Sequence, residues 1–173
     1  MRRTLALSLV LTLSLGLLSG CGPDTQAQEL TAQPVSVQPA GSPAVDQALT
    51  SFGLSLLQSA REAESGPVLL SPLSAALALS MAANGADGDT LAQFETVLGG
   101  GVTLDELNAA CTQLLSDYGD LDGSTECLIA NSLWTDPEGM IREDFIGKCQ
   151  GIFDAQVFSQ ELSAPSVVPA VNG

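Results

Sequence analysis

One segment of this 173-residue chain constrains its fold more than any other, residues 67–90, PVLLSPLSAALALSMAANGADGDT. A short apolar run stops at Ser71-Pro72, and a helix begins there, because Ser caps helix starts well and Pro suits the first helical position. Asn84-Gly85 marks the end of this helix. Its apolar residues cover every side of the cylinder, so we predict that the helix lies inside a larger body.

The motifs around this helix, taken together, resemble those of the serpins, the serine-protease inhibitors. In that family a Ser-Pro helix is followed by a Gly-Ala-x-Gly-x-Thr turn, which here runs from Gly85 to Thr90 (GADGDT). The segment 130–134 (ANSLW), which contains Asn131 and Trp134, resembles the family's second main-sheet strand. The resemblance covers about residues 45–173. It implies an α+β fold with helices packed on a large mixed β-sheet, of which this chain holds an incomplete N-terminal part.

The resemblance also assigns roles to individual residues. It places Ser71 and Ser74 beneath the main sheet, where polar contacts help to control sheet opening, a shutter-like role. The accompanying structural motif comprises Pro72, Asn84, Gly85, Thr90, Asn131 and Trp134. A serpin continues beyond the part matched here to a reactive-centre loop near its C-terminus, and that loop is absent from this chain. We therefore expect a fragment or a truncated gene product, without catalytic residues.

The first 21 residues resemble a bacterial lipoprotein signal. Arg2 and Arg3 give a positive start, and the apolar run 4–18 is too short and too early for an ordinary membrane span. The run ends in LSGC, which resembles a lipobox, so we predict a signal peptide over 1–20 and lipidation of Cys21. The alternative is a plain signal peptide with a coincidental Cys. The first interpretation predicts export and lipid anchoring outside the cytoplasm.

Composition and periodicity divide the rest of the chain. Residues 21–44 comprise the lipidated Cys and a predicted flexible tether, because residues 22–43 are rich in Gln, Pro, Thr and Ser without apolar periodicity. Residues 45–173 form the predicted serpin domain. Its first half is predicted to hold a helix from Val45, a strand at 67–70, the Ser-Pro helix and a helix capped by Asp89 or Thr90 and closed at 99–101. A further helix is predicted from a Thr103–Glu106 capping box to Tyr118. The predicted elements after it are a strand at 126–134, a turn at 136–139, a helix around 145–153, a strand at 155–160 and a helix starting near 163–165.

Several classes of active site are excluded by residue types. The chain has no His, which excludes Ser-His-Asp and Cys-His catalysis and His-based zinc sites. The serpin resemblance implies an inhibitor and not an enzyme, and we expect neither a metal nor a cofactor. Cys111, Cys127 and Cys149 lack a Cys-x-x-Cys pairing. They are interpreted as small buried hydrophobes, with oxidation in an exported chain as the alternative. The acidic segment 117–123 fails the register of a calcium loop and is interpreted as a surface turn.

The charge of the chain restricts its partners. Removing Arg2 and Arg3 from the five basic residues leaves three, against 20 acidic residues, for a net charge of −17. Nucleic acid is therefore not an expected partner, since phosphate binding needs a basic surface. The helix 103–118 holds no Lys or Arg, so heparin-type polyanions are not expected to bind it either.

The resemblance implies that the full-length parent inhibits serine or cysteine proteases by inserting its cleaved reactive loop into the main sheet and trapping the protease covalently. The target protease would be engaged through the missing C-terminal part, so we expect the fragment itself to be inactive and incompletely folded. Two alternatives stay open: a non-inhibitory serpin-like binding lipoprotein, and an unrelated helical lipoprotein that captures a ligand.

Overall fold

A computed structural model describes residues 27–119, 121, 123–125 and 127–172; the predicted signal peptide and Cys21 lie outside the described residues. The described part contains, in chain order, β1 (Gln28–Leu30), α1 (Pro43–Ala63), α2 (Pro72–Ala83), α3 (Gly88–Gly99), α4 (Leu104–Gly119), β2 (Asn131–Thr135), α5 (Glu143–Phe153), β3 (Ala155–Ser159) and α6 (Val167–Asn172). None of the helices in this part has the length and apolar character needed to cross a bilayer.

The helix boundaries follow from local capping chemistry. Gly100 adopts a left-handed conformation with φ of 67° and closes α3, as its lack of a Cβ permits. The capping box before α4 is present, because the Glu106 amide donates to Thr103 Oγ1 at 3.3 Å and the Thr103 amide donates to Glu106 Oε2 at 3.2 Å. The predicted start of α3 was wrong. Asp87 is the N-cap, since its Oδ1 accepts from the Gly88 amide at 2.7 Å.

Three strands form one sheet in the order β1-β3-β2. β2 and β3 are parallel, with Asn131 opposite Ala155 and Thr135 opposite Ser159. A parallel pair needs a crossover connection, and α5 supplies it. β1 runs antiparallel along the other edge of β3. The outer edge of β2 has no strand partner among the described residues.

Two of the predicted strands differ from the structure. The strand predicted over 126–134 is confined to 131–135, because its partner β3 offers only five residues for pairing. The strand predicted at 67–70 has no regular secondary structure and belongs to no ladder. Its Leu69 side chain is 98% exposed. A strand needs a hydrogen-bonded neighbouring strand, and in the described part of the chain residues 68–70 line a groove with the helix α1 instead.

The core lies between the helices and the inner face of the sheet. Its buried members come from every helix except α6 and from β3: Val45, Ala76, Leu77, Met81, Leu98, Leu107, Ala110, Cys111, Ile146, Cys149, Ile152, Phe153, Ala155 and Val157. The prediction that α2 is buried on all sides was wrong for this part of the chain, because Ala78, Leu79 and Ala82 are exposed. No described element covers that side of the helix.

The segment predicted as a flexible tether is partly ordered against the domain, which corrects that prediction. Residues 28–30 form β1, the Val35 amide donates to the Gly147 carbonyl at 2.9 Å, and the Ala40 amide donates to the Ala109 carbonyl at 3.1 Å. The composition suggested solvated chain, but these backbone groups find partners on elements more than 60 residues away, which local sequence does not reveal.

Candidate functional site

The two serines predicted to control sheet opening lie together at the start of α2. Ser71 is the N-cap, and its Oγ accepts from the Ser74 amide at 3.3 Å. The two hydroxyl oxygens are 2.7 Å apart and share a hydrogen bond, while Pro72 occupies the first turn between them. Both serines are exposed. Their hydroxyls therefore bond to each other here and stay accessible to any chain lying over them.

The end of α2 is tied to α4 by a buried pair of amides. Asn84 Nδ2 donates to Asn108 Oδ1 at 2.8 Å, and Asn108 Nδ2 donates back to Asn84 Oδ1 at 2.9 Å. Asn84 Nδ2 also reaches the Ser80 carbonyl at 3.0 Å. Asn84 ends the helix in a right-handed conformation, with φ of −69°, so the predicted stop is correct in place while the conformation is an ordinary one. The sequence analysis did not predict a role for Asn108. The one clue in the sequence is that this polar residue lies on the otherwise apolar face of α4.

Gly85 serves close packing beside this pair. A Cβ added to Gly85 would lie 3.2 Å from the Phe145 ring, so the glycine lets the start of α5 approach the end of α2. Thr90 is exposed in the first turn of α3 and lines a groove together with Gly85 and Phe145. Its role in the structural motif stays a prediction.

Asn131 and Trp134 hold opposite ends of β2. Asn131 Nδ2 donates to the Phe153 carbonyl at 2.8 Å, which fastens the strand to the end of α5. The Trp134 ring stacks on Phe158 across the parallel pair with ring centroids 4.6 Å apart, and its Nε1 donates to Ser132 Oγ at 3.0 Å. Because side chains alternate along a strand, this stack stands on the sheet face opposite the buried Val157.

The three cysteines among the described residues, Cys111, Cys127 and Cys149, are free thiols, and Cys111 and Cys149 are buried in the core. Burial raises the pKa of the Cys149 thiol to about 11. Burial also raises the pKa of the Cys111 thiol, and a hydrogen bond with the Ser80 hydroxyl partly opposes that rise. Both thiols are thus neutral at physiological pH and pack as small apolar groups. Cys127 is half-buried.

The predicted site residues do not converge on one pocket. They lie at the start of α2, at its end, and along β2, so the structure offers surfaces and edges where further strands can pack. In the described part of the chain, no group of three or more His, Cys, Asp or Glu side chains is placed to hold a metal ion. Asp120 and Asp122 of the acidic turn lie outside the described residues.

Comparison with known proteins agrees with this architecture. The family model described as Serpin (serine protease inhibitor) matches residues 47–172. The chain is 31% identical over 101 residues to the plasma serine protease inhibitor of Bos taurus, a match that spans 57% of this chain and 25% of that relative. The thermophilic serpin tengpin in its native state superposes with a TM-score of 0.69 at 29% identity, covering 85% of this chain and 38% of that one. Tengpin in its latent state gives a TM-score of 0.68 at 28% identity, covering 79% and 37%.

These matches define the class of protein, one with a fold of helices packed on a β-sheet that is shared with protease inhibitors. The chain belongs to the serpin family, and its helices and small mixed sheet form part of the serpin fold. The match spans about a quarter of the length of the bovine relative and 38% of native tengpin. The predicted family and α+β fold are confirmed, and the alternative of an unrelated helical lipoprotein is disfavoured.

Proposed function

We propose that this chain is the N-terminal part of an inhibitor of serine or cysteine proteases that acts by reactive-loop insertion. The observation that carries the proposal is the parallel pair β2–β3, which shares one core with the Ser-Pro helix α2 and whose β2 edge is unpaired within the described residues. The backbone groups of an unpaired edge form a template for the next strand. A sheet that gains strands at this edge is the element into which a cleaved loop would insert.

The inhibitory cycle belongs to the full-length parent. A protease attacks the exposed reactive loop, which breaks the scissile peptide bond and forms an acyl-enzyme, an ester with a serine protease or a thioester with a cysteine protease. The freed loop then enters the main sheet as an added strand. Insertion releases strain stored in the uncleaved form and carries the attached protease away before water hydrolyses the acyl-enzyme. The target protease is thus the partner, and it acts through residues that lie beyond this chain.

The described residues contribute framework to that cycle. β2 and β3 supply two strands of the sheet, and the paired Ser71 and Ser74 hydroxyls lie at the exposed start of α2, where strands crossing the helix could compete for their hydrogen bonds. The proposal places the reactive loop beyond residue 173, so it predicts that the 173-residue chain alone is inactive.

Export and lipid anchoring complete the proposal. The charged start, the apolar run and the LSGC sequence ending at Cys21 support removal of residues 1–20 and lipidation of Cys21. The inhibitor would then work at the bacterial surface or in the periplasm, attached to the membrane. Metabolic labelling with a radioactive fatty acid should mark the wild type and leave Cys21→Ala unlabelled. Equal labelling of the two would contradict anchoring at this residue.

The inhibitory proposal is tested by extending the chain. The coding sequence downstream of residue 173, expressed together with this part, should yield an SDS-resistant complex with at least one member of a panel of serine and cysteine proteases. The 173-residue chain, incubated under the same conditions, should yield none. An extended chain that binds or is cleaved without trapping a protease would instead support a non-inhibitory serpin-like binding lipoprotein.

A further inference from the structure

Residues 28–42, here called the N-terminal arm, cross the domain as extended chain before α1 begins. The arm starts as β1 on the edge of β3, passes over α5 and reaches α4, where the Ala40 amide bonds to the Ala109 carbonyl at 3.1 Å. Leu30, Ala32 and Val37 pack against the hydrophobic core. The arm is therefore held along its length by both backbone and apolar contacts.

Two glycines of α5 make room for the arm. Gly147 and Gly151 are four residues apart and so lie on the same face of the helix. A Cβ on Gly147 would overlap the Gln33 carbonyl oxygen, and a Cβ on Gly151 would overlap the Val35 carbonyl oxygen. Only a helix without side chains at both positions lets the backbone of the arm approach this closely.

Gln150 fastens the arm between these glycines and the sheet. Its Oε1 accepts from the Ala32 amide at 3.0 Å, and its Nε2 donates to the Leu30 carbonyl at 3.0 Å. The side-chain amide thus takes the place of a neighbouring strand for two backbone groups, one on the last residue of β1 and one two residues further on. Together with the Val35–Gly147 hydrogen bond, it fixes the path of the arm over α5.

The register of β1 fixes which end of the domain the chain comes from. Gln28 lies opposite Ser159, the last residue of β3, so the arm starts at the carboxyl end of the parallel pair. Seven residue steps separate Cys21 from Gln28, a reach of at most about 25 Å at roughly 3.5 Å per residue. Glu29, Phe158 and Trp134 are opposite one another across the three strands, which places Trp134 about 10 Å from Glu29 at roughly 4.8 Å per strand.

We propose that the N-terminal arm fixes the orientation of the membrane-anchored domain, with the carboxyl end of β2 and β3 facing the bilayer. This inference rests on the proposed lipidation of Cys21. The same end of the sheet carries two exposed apolar side chains, Met140, which is 100% exposed, and Leu162, which is 44% exposed and follows β3. The carboxylates of Asp136 and Glu138 also lie there, so the occupant that suits this end is a zwitterionic lipid surface in preference to an anionic one.

The single Trp of the chain makes the orientation measurable. The lipidated chain is inserted into phosphatidylcholine vesicles that contain a dansyl-labelled headgroup lipid, and energy transfer from Trp134 to dansyl reports the separation. Gly151→Ala should release the arm, remove the hydrogen-exchange protection of amides 28–35 and roughly halve the transfer, because the anchor then leads to a long flexible chain. Gly41→Ala is the matched control, since a Cβ there meets nothing within 4 Å.

A second variant covers the case in which Gly151→Ala fails to fold. A 20-residue Gly-Ser insertion between Ala27 and Gln28 leaves the arm and its contacts with α5 unchanged but lengthens the chain between the lipid anchor and the domain. It should therefore also lower the energy transfer from Trp134 to the dansyl lipid. Equal transfer in the wild type and the insertion variant would overturn the proposal. Exchange of the wild-type amides 28–35 at the rate of unstructured peptide would overturn it too.

A separate attachment distinguishes this proposal from lipidation itself. A hexahistidine sequence placed directly before Gly22 in the Cys21→Ala variant holds the chain on vesicles of phosphatidylcholine with a nickel-chelating lipid. If the wild type is not lipidated, the anchoring proposal fails, but this hexahistidine variant still shows whether the N-terminal arm fixes the orientation of the domain. Transfer that falls on insertion of the linker supports the fixed orientation, and transfer indifferent to the linker contradicts it.

Discussion

Leu77 lies in the middle of α2, and its side chain is 2% exposed. A carboxylate at this position would be buried without a partner, so Leu77→Asp should destabilise the fold by several kcal/mol. Leu79→Asp is the control on the same helix, because Leu79 is 36% exposed and its replacement can reach water. Urea unfolding followed by circular dichroism should show a large loss for Leu77→Asp and a small one for Leu79→Asp. Similar midpoints for wild type and Leu77→Asp would show that α2 is not central to the core.

The three thiols should differ in reactivity according to burial. With a pKa of about 11, Cys149 is ionised to only ~0.1% at pH 8. Since the thiolate is the reacting form, iodoacetamide at pH 8 should modify the half-buried Cys127 first, and Cys149 should gain reactivity as the pH rises towards 11. Mass spectrometry of timed samples measures the order, and full labelling of all three in urea is the control. Modification of Cys149 as fast as Cys127 would contradict the burial described here.

The buried amide pair joins two elements, α2 and α4, and we expect it to contribute to the stability of the fold. Asn84→Ala leaves the Asn108 amide buried without its partner, which should cost ~1–3 kcal/mol of unfolding free energy. Replacing both residues by Leu should cost less than the single change, because no buried polar group is then left unpaired. Denaturation of Asn84→Leu, Asn108→Leu and the double Leu variant gives the coupling. Additive losses would show that the amides do not act as a pair.

Local signals account for the elements that the sequence predicted well. The Thr103–Glu106 box and the left-handed Gly100 act within a few residues, so the start of α4 and the end of α3 could be predicted from the sequence. β1 could not be, because its partners Ser159 and Val157 lie about 130 residues away in the chain. The Asn84–Asn108 pair was hidden for the same reason. Ser71 and Ser74 were correctly placed on a helix start, while their role in sheet opening stays a prediction.

At the scale of the whole molecule, the described residues leave apolar surface uncovered beside α1. Leu54, Leu57, Leu69 and Leu70 line a groove of about 440 Å³, and the exposed side of α2 adds Leu79. Patches of this kind mark surfaces that other chain normally covers. The chain covers only 38% of native tengpin, and we propose that elements beyond residue 173 cover this apolar surface.

The uncovered apolar groove should distinguish this chain from a form extended by the downstream coding sequence. The 173-residue chain should bind the dye anilinonaphthalene sulfonate through its uncovered apolar groove. It should form no covalent complex with any protease, because the proposed mechanism places the reactive loop beyond residue 173. Adding the downstream coding sequence should bury the groove, pair the free edge of β2 and complete the sheet. Dye fluorescence should then fall, and trapping should appear, in one and the same protein. If an extended chain traps protease but still binds the dye, trapping does not require the groove to be covered. That result would contradict the proposed covering of α1. Protease trapping by the 173-residue chain itself would contradict the requirement for a reactive loop beyond it.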